Sequence, residues 1–153
     1  MDALKSLFEE FDLAAFLPDV ASALGWVEST LRVLVMAGPL LLLGFGMLFL
    51  LAPPKEANYG LGFRCWWGMA SLEAWQFTQR LAGLVWSAMG VGLTFIMALI
   101  CNAFRRMDPM VMVWCAFWCL IAELVLILAS WIFINVKLYH RFDRWGFRRD
   151  EEE

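Results

Sequence analysis

The chain has 153 residues, of which 62% are hydrophobic, 16% aromatic and only 18% charged. A water-soluble domain of this size would expose much of that apolar surface, so lipid is the expected solvent for most of the chain. The net charge of −3 comes with no basic face, which excludes a nucleic-acid partner, and no positive region precedes an apolar run at the N-terminus to suggest a cleavable signal peptide.

Residues 1–31 form an amphipathic segment with six acidic side chains, Asp2, Glu9, Glu10, Asp12, Asp19 and Glu28, against Lys5 alone. Leu4, Leu7, Phe8, Phe11 and Ala15 recur at helical spacing on one face, with Asp2, Lys5, Ser6, Glu9 and Asp12 opposite. The pattern predicts an interfacial helix ending before Pro18, a residue suited to opening the next helix in its first turn. An acidic face fits an outer leaflet, a protein groove or a cationic peptide better than it fits anionic lipid. The alternative is a helix lying on the protein's own spans.

The first span, 33–52, is uncharged over twenty residues and closed by Pro53-Pro54; Gly38-Pro39 inside it is a candidate kink. The loop 53–80 follows. Gly60 and Gly62 permit tight turns around an aromatic residue. Ser71 is placed to cap a helix running through Glu73, Trp75, Gln79 and Arg80 into the second span. Trp66, Trp67 and Trp75 suit the headgroup zone, and Arg64 is expected to pair with Glu73 across the turn.

The second span, 81–101, is uncharged and carries a stripe of small residues, Gly83, Ser87, Gly90, Thr94, Ala98 and Cys101. The third, 110–136, contains one charge, Glu123, and a broader stripe of Cys115, Cys119, Ala122, Glu123, Ala129 and Ser130. These stripes predict that spans two and three pack against each other, with Trp86, Trp114, Trp118 and Trp131 peripheral. The tail 137–153 is basic until a final Asp-Glu-Glu-Glu. Each span is long enough for a bilayer core of roughly 30 Å. The expected fold is all-α: one membrane domain, a bundle of three transmembrane helices with an N-terminal amphipathic interfacial helix.

Orientation follows from lysine and arginine. The 53–80 loop and the tail carry eight, the opposite side four (Lys5, Arg32, Arg105 and Arg106). This places loop and tail in the cytoplasm and the N-terminus outside.

Glu123 falls at the middle of its span, where an ionised side chain costs roughly 2.5–3.5 kcal/mol on insertion scales. It is expected to face the protein interior as a hydrogen-bonding acid, with Ser87 or Thr94 as partner. Two roles stay open, helix glue and a ligand or proton site. Cys115, Cys119 and Glu123 recur at four-residue steps, but with no histidine nearby they read as packing residues, so no metal or cofactor is expected. His140 reads as a solvated interface residue. No nucleophile-base pair, phosphate loop or paired catalytic carboxylates emerge, and the chain does not read as an enzyme.

Asn58, Gly62-Phe63-Arg64, Ser71, Glu73, Trp75, Arg80 and Gly83 together resemble the signature of the SdpI immunity-protein family. One departure is Cys65-Trp66-Trp67, where a threonine-proline-like stretch is common in that family. The resemblance implies a multi-pass protein of the bacterial inner membrane. It also implies immunity to, or sensing of, a membrane-active antimicrobial peptide by non-covalent binding. Expected partners are the lipid bilayer and a peptide toxin or a membrane protein. Asn58, Gly62, Arg64, Glu73, Trp75, Gln79, Arg80 and Glu123 are the candidate binding or motif residues. The rival readings are a homo-oligomeric proton- or cation-coupled transport subunit using Glu123, and an accessory subunit of a larger membrane complex.

Overall fold

Three long helices account for most of the described backbone. The structure, a computed structural model, describes residues 13–57 and 60–149, with side chains described from Ser22 onward. Helix α1 runs Leu13–Leu51, α2 Leu72–Ala103 and α3 Pro109–Arg141, with no strand among the described residues. Each belongs to a segment long and apolar enough to cross a membrane: Ser22–Leu51, Leu72–Arg106 (α2 with the 3-10 turn that follows it) and Pro109–Arg141. Only 28, 22 and 22% of these segments' most apolar windows is buried within the chain, so most of each helix surface is left for lipid. The fold is an all-α, three-span membrane bundle.

The break expected at Pro18 is absent. α1 runs unbroken through Pro18, Gly38 and Pro39 to Leu51, so residues 13–31 belong to the first spanning helix rather than to a separate interfacial element. A proline this close to the described start of a helix removes one backbone bond, and its neighbours Ala14, Ala15, Ala21 and Ala23 favour the helical state. The amphipathic face at Leu4, Leu7, Phe8 and Phe11 lies outside the described residues.

α1 and α2 form the most extensive pairing, and glycine sets its closeness. A Cβ on Gly90 would lie 2.6 Å from the Leu43 backbone nitrogen, one on Gly83 2.9 Å from Leu50 Cγ, and one on Gly46 would collide with the Ser87 backbone nitrogen. The small stripe of α2 therefore packs on α1, correcting the expected pairing with α3. Such a stripe records that a neighbouring backbone comes close; it carries no mark of which one.

α3 contributes a narrower line, Ala116, Cys119, Glu123, Ser130, Ile134 and Leu138, spaced by three, four or seven residues so that one helix face is buried. Ala122 and Ala129, expected in its seam, are exposed. Trp86 is central rather than peripheral: it packs against both core clusters, and its ring centroid lies 5.4 Å from that of Phe63. Trp114, Trp118 and Trp131 are exposed. A short 3-10 turn, Phe104–Arg106, ends α2, and Pro109 opens α3 in its first turn.

Candidate functional site

The loop between α1 and α2 folds into a cap over one end of the bundle. Gly62 has φ +131°, a left-handed value that L side chains rarely adopt, and its Cα lies on the Trp75 indole, where a Cβ would come within 2.7 Å of the ring. The next residue, Phe63, is buried, and the side-chain amide of Gln79 takes both of its backbone groups. Gln79 Oε1 accepts from the Phe63 N–H at 2.8 Å, and Nε2 donates to the Phe63 carbonyl at 2.9 Å. Trp75 is fully buried, with Nε1 donating to the Pro54 carbonyl at 2.8 Å. That corrects its expected headgroup placement: the indole N–H has a backbone acceptor inside the cap and needs no water. Trp66 remains on the surface, 84% exposed.

Ser71 caps α2, its hydroxyl accepting from the Ala74 N–H at 3.1 Å. The same hydroxyl donates to the Gly146 carbonyl at 2.8 Å, joining the tail to the cap. The tail turns back after α3 because Asp143 Oδ1 accepts from the Trp145 and Phe147 N–H groups, each at 2.8 Å, and Gly146 takes φ +84° against Ser71. Arg148 then reaches Glu73 in an ion pair, so the expected Arg64–Glu73 pair is replaced by one that spans loop and tail. Asp143 and Gly146 escaped sequence reasoning, although Asp at the first and Gly at the fourth position is the signature of a type I turn.

Arg64 and Arg80 are exposed, and Asn58 lies outside the described residues. Arg64 stands at the edge of a groove of about 540 Å³ lined by Phe63, Trp86, Ile127, Leu128 and Trp131. The locked backbone of Phe63 thus presents a guanidinium, able to take a carboxylate or phosphate in two bonds, beside an apolar cleft. Cys65 is buried in the cap and its thiol is pushed above 9.0 by burial, which outweighs hydrogen bonds from the Gly68 backbone and Thr78. Such a thiol is a poor nucleophile.

Glu123 lies apart from the cap group. It is 4% exposed and faces α1, where a Cβ on Gly38 would stand 2.5 Å from its Oε2. The expected hydrogen bonds to Ser87 or Thr94 do not form: Ser87 Oγ, Thr94 Oγ1 and Glu123 Oε1 are all buried and unpartnered. The structure thus gathers Gly62, Trp75 and Gln79 around Phe63, sets Arg64 beside them, ties Glu73 to the tail and places Glu123 elsewhere. Among the described residues no three His, Cys, Asp or Glu side chains converge as a metal site requires.

Three apolar spans under a folded cap define a multi-pass membrane protein. The SdpI/YfhL protein family matches residues 55–135, more than half of the chain, and the chain belongs to that family. The matched region contains the cap loop, α2 and most of α3, Glu123 included. No curated protein and no solved structure matches the chain.

Proposed function

We propose that this SdpI-family protein confers immunity to, or senses, a membrane-active antimicrobial peptide by binding it without covalent chemistry. Membership of the family supports the reading. The observation that carries it is Arg64, held by the Gln79–Phe63 lock at the rim of an apolar groove between α2 and α3. A peptide already partitioned into lipid would lay apolar side chains along Trp86, Ile127 and Trp131 and set a carboxylate against the guanidinium. Eight of the twelve basic residues fall in the loop 53–80 and the tail, supporting a cytoplasmic cap, an outward N-terminus and residence in a bacterial inner membrane.

The experiment is deletion of the gene followed by challenge with peptides encoded by neighbouring loci. Wild-type protein restores growth and Arg64→Gln, present in the membrane at equal amount, does not. Unchanged sensitivity of the deletion strain to every such peptide rejects immunity.

A transport subunit that shares Glu123 between copies finds less support, because that side chain turns toward α1 of its own chain.

A further inference from the structure

Inside the spans, Glu123 Oε1, Thr94 Oγ1 and Ser87 Oγ are buried with no hydrogen-bond partner. Their heights follow from helix register. Ser87 stands at Gly46 and Gly90 at Leu43, so continuing the antiparallel pairing by one turn brings Thr94 opposite Pro39. Gly38, beside it, is where the Glu123 carboxyl packs. On the other side of α2, Trp86 Nε1 donates to Ser130 Oγ at 3.2 Å, and one heptad further along both helices lie Leu93–Thr94 and Glu123. Gly38–Pro39, Thr94 and Glu123 therefore share one level of the bundle. Ser87 and Ser130 form the next, about 10 Å nearer the cap.

Pro39 is fully buried and has no N–H, so the carbonyl of buried Val35 one turn back lacks its helical donor. Glu123 Oε1 and Thr94 Oγ1 thus sit on one level without protein partners, beside a carbonyl that Pro39 deprives of its helical donor, and Ser87 Oγ is unpartnered one level nearer the cap. In a membrane such groups take water or an ion. Glu123 is the one carboxyl in the apolar stretches 33–52, 81–101 and 110–136; Glu28 and Glu73 lie outside them, toward the ends of the spanning segments. A metal cation would need several more oxygens around it, whereas a proton needs only this one.

We propose that Glu123 is a proton-exchange site reached by water inside the bundle, with the Thr94 hydroxyl and the Val35 carbonyl holding that water at its level and the Ser87 hydroxyl holding water one level nearer the cap. Loading forms one O–H bond on the carboxylate, the proton coming from a hydronium that is left as water; unloading returns it to water. Protonated, the side chain packs on Gly38 without net charge. Deprotonated, it is an uncompensated anion. Among the described residues the titratable groups that act on it are Cys101 from α2 and Cys119 from α3 itself; Cys115 and Arg32 act on those thiols, and Arg32 is engaged by Glu28 at 2.5 Å. None of these supplies a free positive charge, so loss of the proton draws water in and loosens α1 from α3 at Gly38. The assignment does not depend on peptide binding at Arg64.

The test uses the full chain in phosphatidylcholine liposomes and dicyclohexylcarbodiimide, which modifies protonated carboxyls in apolar surroundings. The adduct is located by mass spectrometry. The expected result is an adduct at Glu123 whose rate falls as pH is raised, by about tenfold per pH unit once the carboxylate dominates, and returns when pH is lowered. Glu123→Gln removes the adduct; should that variant fail to fold, the wild-type pH series carries the test alone. No adduct at any pH, or a rate independent of pH, overturns the proposal. So does protection by sodium but not by equal potassium, which marks a metal-cation site instead.

Discussion

The side chain of Gln79, on α2, holds both backbone groups of Phe63, sixteen residues earlier, with bonds of 2.8 and 2.9 Å. An amide accepts from an N–H through its oxygen and donates to a carbonyl through its nitrogen, and it carries no titratable proton that would change this with pH. Gln79→Leu keeps the bulk and leaves both Phe63 groups buried and unpaired. The expected loss is roughly 2–4 kcal/mol of stability, read from unfolding titrations in mixed micelles. An unchanged midpoint would show that the lock contributes nothing.

The α1–α2 seam separates glycines that touch a neighbour from those that do not. Gly90→Ala forces a methyl against the Leu43 backbone and is expected to cost about 1–3 kcal/mol or prevent assembly. Gly92→Ala, on the same helix with open space at its Cβ, is expected to be neutral or slightly stabilising. Thermal aggregation of the two purified variants compares them directly, and equal behaviour would refute the assigned seam.

Loop and tail are joined by two contacts of unequal strength. Ser71→Ala removes the α2 cap and the bond to Gly146, for an expected cost of about 1–2 kcal/mol. The Glu73–Arg148 pair is 51% and 38% exposed, so solvent screening limits it, and Arg148→Ala is expected to cost less than about 1 kcal/mol. Limited proteolysis of the tail should therefore quicken far more in the serine variant. The opposite order would mean that the ion pair holds the tail.

Burial raises the Cys65 thiol above its ordinary 9.0 in the folded protein. The folded state thus binds this proton more tightly than the unfolded chain does. The resulting stability is complete below about pH 9 and is lost as pH climbs through the folded value. Cys65→Ala is expected to flatten that alkaline decline relative to wild type when melting temperatures are compared on either side of pH 9. Maleimide labelling of native protein should be slow at this site and fast after unfolding; rapid native labelling would contradict its burial.

Several elements of the fold are legible residue by residue. The uncharged runs of 33–52 and 81–101 announce spans because lipid forbids exposed charge over that length. Ser71 announces the start of α2, since a hydroxyl three residues before a free N–H satisfies it locally. Within the candidate site, Gly62 is readable as a turn because its backbone demand is local. Trp75 is not: an indole suits a headgroup zone and a buried pocket equally, and only the Pro54 carbonyl decides.

By itself the sequence determined three lipid-crossing helices, the capped start of the second and a single carboxyl at the centre of the third. Tertiary structure alone decided that α2 packs on α1, that Glu73 pairs with Arg148 and that Glu123 rests on Gly38. The division has a physical cause. Bilayer thickness and backbone hydrogen bonding act within one stretch of chain, whereas partner choice depends on surfaces from distant stretches fitting each other.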